Sequence, residues 1–233
     1  GNLLFAYRIR MLRFGGFNYL AQCVMQAYSN EAMRLTITRL LGAVETARFG
    51  FVSNVIDLTH RYLPAFLLIR LIRPIFVTRY VENRDFEQIN AFGILILKLN
   101  VFLIVPLVAV AFHGGDFALA FLSGGKYRSE GMLLVCALVL LVPTSHQWVI
   151  SMTANTIERN ELQAKGALLA AIGWPIAVLL SPVVGVWAAF AGSYVSALSY
   201  NTFAIVYLRR EGFMYRQDLR GLLKFVLAGI GAL

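Results

Sequence analysis

Five polar residues recur every fourth position along one apolar stretch: Asn18, Gln22, Gln26, Asn30 and Arg34. In an α-helix this spacing drifts by about 40° per step, so the stripe winds slowly round the helix. Glu31 adds a carboxylate beside Arg34. Hydrocarbon cannot satisfy amides, so in a membrane such a stripe must face protein or water. It then acts either as hydrogen-bonding glue between helices or as the lining of a wet passage. A second set, Ser53, Asn54, Asp57, His60 and Arg61, falls within an arc of about 120° on the next helix. Pro64 follows and predicts a kink there. Two accounts compete for these charges. They form a functional intramembrane cluster, or Asp57 pairs with Arg61 and Glu31 with Arg34 one helical turn away.

Lys98 lies near the centre of another apolar segment. A lone Lys at that depth costs about 2.5–3.5 kcal/mol on insertion scales, so it calls for a wet interior or a partner acid. If Glu31, Arg34, Asp57, Arg61 and Lys98 all face one cavity, that cavity is net cationic. It then favours anionic cargo, and the forked guanidinium of Arg suits phosphate. His146 and Gln147, near Pro143, read as packing residues of an apolar helix.

Catalytic and metal motifs are missing. The sequence has no Gly-rich phosphate loop ending in Lys-Ser/Thr, no HExxH, no CxxC and no Ser-His-Asp arrangement in a supporting context. The chain therefore reads as a non-enzyme with no cofactor and no metal, driven by a gradient or by nothing. Cys23 and Cys136 both sit in apolar stretches and read as packed thiols.

The elements that must position these residues are membrane helices. Of 233 residues, 59% are hydrophobic and 14% charged, and the mean hydropathy is +0.69. Soluble domains carry about 25% charged residues, so an ordinary soluble enzyme, a disordered chain and a nucleic-acid module are excluded. A helix needs roughly 20 apolar residues to cross a bilayer core. Six spans are read by apolar pattern, at about 14–41, 49–72, 89–112, 131–152, 166–181 and 185–208. Residues 166–208 carry no Asp, Glu, Lys or Arg, and the turn at Ser181-Pro182-Val183-Val184-Gly185 divides them into a hairpin. A cytoplasmic lead (1–13) precedes the helical unit (14–208). A basic segment and the start of a further apolar helix (209–233) follow it, so the sequence reads as a fragment of a longer protein.

Fourteen of the 21 Lys and Arg fall on the side of the N-terminus and four on the other, with three inside spans. The positive-inside rule then puts both ends in the cytoplasm and explains the net charge of +9 without nucleic acid. Residues 74–88 read as an amphipathic interfacial segment, and 113–130 as an outer loop dipping into the interface. Pro64, Pro106, Pro143 and Pro175 lie within spans and are available as flexible points.

Several motifs are similar to those of a known family. They are Phe14-Gly15-Gly16-Phe17-Asn18-Tyr19-Leu20, Thr38-Arg39-Leu40-Leu41-Gly42 and Ala47-Arg48-Phe49-Gly50-Phe51. Tyr62-Leu63-Pro64, Arg73-Pro74, Lys98 through Pro106 and Gly125-Lys126-Tyr127 follow, then Thr153-Ala154-Asn155 with Glu158-Arg159, and Pro182-Val183-Val184-Gly185-Val186-Trp187-Ala188. Together they resemble the polysaccharide transporter family, the Wzx-like oligosaccharide flippases of the MOP flippase superfamily. The resemblance implies an all-α polytopic membrane protein, a six-transmembrane-helix lobe of a MATE-like two-lobe transporter, matching the C-terminal lobe better. It further implies alternating access in the bacterial cytoplasmic (inner) membrane and a polyprenyl-pyrophosphate-linked oligosaccharide as cargo. The implied partners are membrane lipid, the N-terminal lobe of the same chain, and a polysaccharide polymerase or glycosyltransferases. Arg34, Arg61 and Lys98 are then the expected contacts for pyrophosphate or acidic sugars. Two rival readings stand beside it: an ion-coupled multidrug or toxin exporter of the same superfamily, using Asp57, and a non-transporting scaffold for polysaccharide synthesis.

Overall fold

The computed structural model describes residues 2–63, 74, 77, 78 and 80–231. The described residues are almost entirely helical, with no strand among them. The helices are α1 (Asn2–Ala27), α2 (Asn30–Leu41), α3 (Ala43–Tyr62), α4 (Phe86–Ser123), α5 (Gly131–Thr156), α6 (Asn160–Ala170), α7 (Gly173–Val184), α8 (Trp187–Arg210) and α9 (Leu219–Gly231). Among the described residues three are long and apolar enough to cross a membrane: α4, α5, and α6 with α7 taken together as Asn160–Val184. They contain the expected spans 89–112, 131–152 and 166–181. The remaining expected spans fall in α1–α2, in α3 as far as Tyr62, and in α8, which are helical but less apolar. Residues 64–73, with Pro64 and its expected kink, lie outside the described residues.

The stretch 14–41 is two helices rather than one. Ser29 caps α2: its side chain accepts from Ala32 N at 3.4 Å and its carbonyl from Met33 N at 2.9 Å. A serine at this position offers the backbone an alternative to continuing α1. Gly42, at φ +85°, then turns the chain, and α3 packs back along α2. That left-handed geometry suits glycine alone among common residues.

The expected outer loop at 113–130 is helical as far as Ser123. Gly114-Gly115 does not break α4. Gly115 instead lets two helices touch, since a Cβ there would lie 3.1 Å from Gly131 Cα at the start of α5. Asp116 Oδ1 accepts from Gly131 N at 2.7 Å and fixes that contact. The turn comes at Gly124 and Gly125, both at positive φ, with Gly125 N bonded to Ala120 O.

Pro175 explains the break between α6 and α7. Its ring crowds the carbonyl four residues back, at Ala171, where the helix is interrupted. α5 and α8 are central to the packing. α5 lies against α3, α4, α6 and α8, and α8 lies against α5, α6 and α7. α1 packs on α6, α2 on α7, and α9 on α4. Gly173 and Gly192 bring α7 and α8 very close, and a Cβ on Gly173 would meet Gly192 O and the Ser196 hydroxyl.

Candidate functional site

A cavity of about 300 Å³ lies between α1–α2, α5, α6–α7 and α8. The α1–α2 side supplies Gln22, Tyr28 and Asn30, α5 supplies Gln147 and Trp148, and α6–α8 supply Gln163, Trp174, Ser193 and Ser196. Among the described residues no lining side chain is charged. The break at Ser29 helps to build this surface, because it lets the chain change course where Tyr28, Ser29 and Asn30 meet the cavity.

The polar lining divides by how its hydrogen bonds are used. Gln163 Nε2 donates to Ser151 O at 3.1 Å, and Ser193 donates to Ala189 O. By contrast, the side chains of Gln22 and Asn30, both exposed, and of the half-buried Gln147 make no hydrogen bond to the described residues. The buried Tyr28 hydroxyl has no partner either. Each amide carries two donor hydrogens and an acceptor oxygen, so this wall holds unspent capacity for water or ligand.

The remaining sequence candidates are placed elsewhere. Asn18 is half-buried and Gln26 exposed on α1, and neither lines this cavity. On α2 and α3, Arg34 Nη2 donates to Asn54 Oδ1 at 2.6 Å and to Gly50 O at 3.4 Å, while Arg34 Nε is buried without a partner. Glu31, Asp57 and Arg61 are exposed and His60 half-buried. Neither of the expected ion pairs, Glu31–Arg34 or Asp57–Arg61, is present. Arg34 reaches across to α3 in place of its neighbour on α2.

Lys98 has the partner acid that its depth calls for. Its Nζ lies 2.5 Å from Asp218, at the start of α9. The bond from Lys98 and a second from Gly221 N hold the Asp218 carboxyl below the usual carboxylate range. This ties Lys98 to α9 and leaves it off the wall that carries Gln22 and Asn30. The five in-span charges therefore do not line this one cavity.

Two arrangements were not visible in the sequence. Arg48 binds Glu130 through two bonds, 2.5 Å from Nε and 2.9 Å from Nη2, and also bonds Glu45. Glu130 is buried, so this clasp joins the start of α3 to the start of α5. A second cavity, of about 490 Å³ and mainly apolar, lies between α4, α5, α8 and α9. His146 Nε2 and the Tyr215 hydroxyl lie 3.0 Å apart on its wall, and Asn201 Nδ2 donates to Pro143 O at 2.9 Å. Among the described residues no three His, Cys, Asp or Glu side chains gather as metal ligands. Comparison of the chain with protein-family models, with curated proteins and with solved structures gives no match.

Proposed function

We propose that the chain is a six-helix lobe of a transporter that moves lipid-linked oligosaccharide across a bacterial cytoplasmic membrane by alternating access. One observation carries this reading: a cavity in an otherwise apolar helical protein is lined by the polar side chains of Gln22, Asn30, Gln147 and Gln163 and by the buried Tyr28 hydroxyl, which has no partner among the described residues. Such groups are costly in hydrocarbon and are retained where polar cargo or water passes. α1–α2, α3, α4, α5, α6–α7 and α8 are the six spans, and the other lobe of the full-length protein completes the path. The sugar portion of a polyprenyl-pyrophosphate carrier crosses while its tail stays in lipid. Arg34 and Arg61, on the α2–α3 hairpin, are the cationic side chains available to the pyrophosphate.

Transbilayer movement of a fluorescent polyprenyl-pyrophosphate oligosaccharide by the full-length protein in liposomes tests this. We expect movement with the wild type and at least a tenfold slower rate with Arg34→Glu. No movement with folded wild-type protein and matched cargo overturns the reading. Ion-dependent export of cationic dyes in the same liposomes would replace it with the exporter, although the cavity wall offers no carboxylate to bind a coupling ion.

A further inference from the structure

The groove beside α9 has apolar walls, formed by Ile94, Leu97 and Val101 of α4, Val142 of α5, Ile205 of α8 and Leu222 of α9. Its polar side chains are mostly engaged within the protein. His146 is paired with Tyr215, Tyr194 donates to Cys136 O at 2.8 Å, Asn201 Nδ2 bonds Pro143 O, and Asp218 holds Lys98. Asn201 Oδ1 is left over. The groove is also open, because Val139 of α5 and Leu198 of α8 line it and are exposed. An open apolar wall is stable against hydrocarbon and costly against water.

This groove has a direction. Along α8 its lining runs from Ile205 to Tyr194, roughly 8 to 24 Å from Arg210 at the end of that helix. At the α9 end its wall is Tyr215, Gln217 and Asp218, and cations flank these residues. Arg216 lies between Tyr215 and Gln217, and Arg220 follows Asp218 by two positions. Asn90 Nδ2 donates to Arg216 O at 3.3 Å, and Asp218 Oδ1 accepts from Gly221 N at 2.8 Å, so the backbone carrying both arginines is held. The carboxylates of this segment are already engaged, Glu211 with Arg159 at 3.0 Å and Asp218 with Lys98. Arg210, Arg216 and Arg220 are exposed and make no ion pair or side-chain hydrogen bond to the described residues. Further along α9, Leu223 and Leu227 are exposed as well. Cations at one level and bare leucines beyond them on the same helix are the profile of a lipid interface.

We propose that this groove is a binding site for an anionic glycerophospholipid such as phosphatidylglycerol. Arg210, Arg216 and Arg220 take the headgroup phosphate, and one acyl chain lies in the groove between α4, α5, α8 and α9. The charge of the occupant follows from three guanidinium groups left without a carboxylate, whose forked donors suit phosphate oxygens. Its chain follows from an open, apolar wall around about 490 Å³. The positive-inside rule puts these arginines at the cytoplasmic leaflet, where anionic headgroups attract basic segments. This site depends on the membrane placement of the helices and not on the cargo.

The test is native mass spectrometry of the full-length protein in detergent. The probes are phosphatidylglycerol, phosphatidylcholine with the same chains, and chainless glycerophosphoglycerol. Phosphatidylglycerol should bind at least fivefold tighter than phosphatidylcholine and at least tenfold tighter than the chainless headgroup. Arg216→Gln combined with Arg220→Gln should bring phosphatidylglycerol down to the level of phosphatidylcholine. Lys126→Gln combined with Arg128→Gln makes the same change of charge at exposed positions in the turn after α4, and should leave the preference intact. Leu198→Trp narrows the groove and should weaken both phospholipids at least threefold. Each variant is checked for folding by size-exclusion chromatography.

Equal binding of the two phospholipids overturns the proposal, as does a preference that survives loss of Arg216 and Arg220. A preference lost equally with Lys126 and Arg128 overturns it too, since net charge then explains the result. Chainless headgroup binding as tight as that of the lipid assigns the arginines to free phosphate and removes the groove. Tighter binding of polyprenyl phosphate than of phosphatidylglycerol gives the groove to a carrier lipid and overturns the phospholipid assignment. None of these outcomes depends on transport in liposomes, so the two readings fail separately.

Discussion

The two cavities share α5 and α8 yet are finished in opposite ways. On the α9 side, His146 meets Tyr215, and Asn201 Nδ2 caps the Pro143 carbonyl while its Oδ1 is buried without a partner among the described residues. Most of that wall is aliphatic. On the α1–α2 side, Gln22, Asn30, Gln147 and Tyr28 keep their capacity open. The same residue types thus serve two ends. An amide that caps a proline-loosened helix is part of the packing, and one that faces space without a partner is a contact in waiting. The donor bond of Asn201 to Pro143 O distinguishes it from Gln22, Asn30 and Gln147, and residue type and depth in the sequence do not.

Four changes test that contrast, beginning with the largest expected effect. Gly173→Leu forces a side chain into the Gly192 carbonyl and the Ser196 hydroxyl. Overpacking of this kind costs about 3 kcal/mol or more. We expect little monodisperse protein on size-exclusion chromatography, because the α7–α8 contact supports one wall of the polar cavity. Gly173→Ala should be milder but still lower the melting temperature.

Asn201→Leu strands the Pro143 carbonyl in a buried setting. Loss of that bond should destabilise the protein by about 1–3 kcal/mol, measured by thermal unfolding, with transport retained. Gln147→Leu should give the inverse pattern. Its amide has no partner to lose, so stability should stay within about 0.5 kcal/mol, while transport in liposomes falls at least fivefold. If both variants behave alike, the distinction between the cavities fails.

The smallest effect concerns pH. Lys98 holds the Asp218 carboxyl below its usual value, so the pair contributes fully above about pH 4, the ordinary Asp range. The contribution is lost as pH falls through the lowered folded value. Asp218 is exposed, so the change should be a small decrease in melting temperature below pH 4, absent in Asp218→Asn. A decrease on raising the pH above 5 would be the wrong sign.

The all-helical architecture was legible because long charge-free runs leave few alternatives. The turn at Gly185 was readable from Pro182 and Gly185, and the structure ends α7 at Val184. The i, i+4 stripe led to Gln22 and Asn30, both on the cavity wall. Other contributions were hidden for physical reasons. Gln163, Ser193, Ser196 and Trp174 lie in or beside segments whose apolar average obscures single polar groups, and Gln147 was read only as packing beside His146. The partner of Lys98 is 120 residues away and that of Arg48 is 82, so only folding brings them together. Gly114-Gly115 read as a loop because glycine signals both turning and close approach. The nearby Gly131 and Asp116 show which applies.

The length of α4 has a consequence of its own. Its 38 residues extend about 57 Å at 1.5 Å per residue, against a hydrocarbon core of about 30 Å. Phe117, Phe121 and Leu122, near its far end, are 77%, 79% and 60% exposed, and such side chains belong in lipid or at its boundary rather than in water. A helix longer than the hydrocarbon core is accommodated by tilting, by kinking or by local thickening of the bilayer, and Pro106 lies within α4. Bilayer thickness becomes a control on this helix: a thinner bilayer lays it flatter and a thicker one raises it, carrying along α5, joined to it at Gly115 and Gly131.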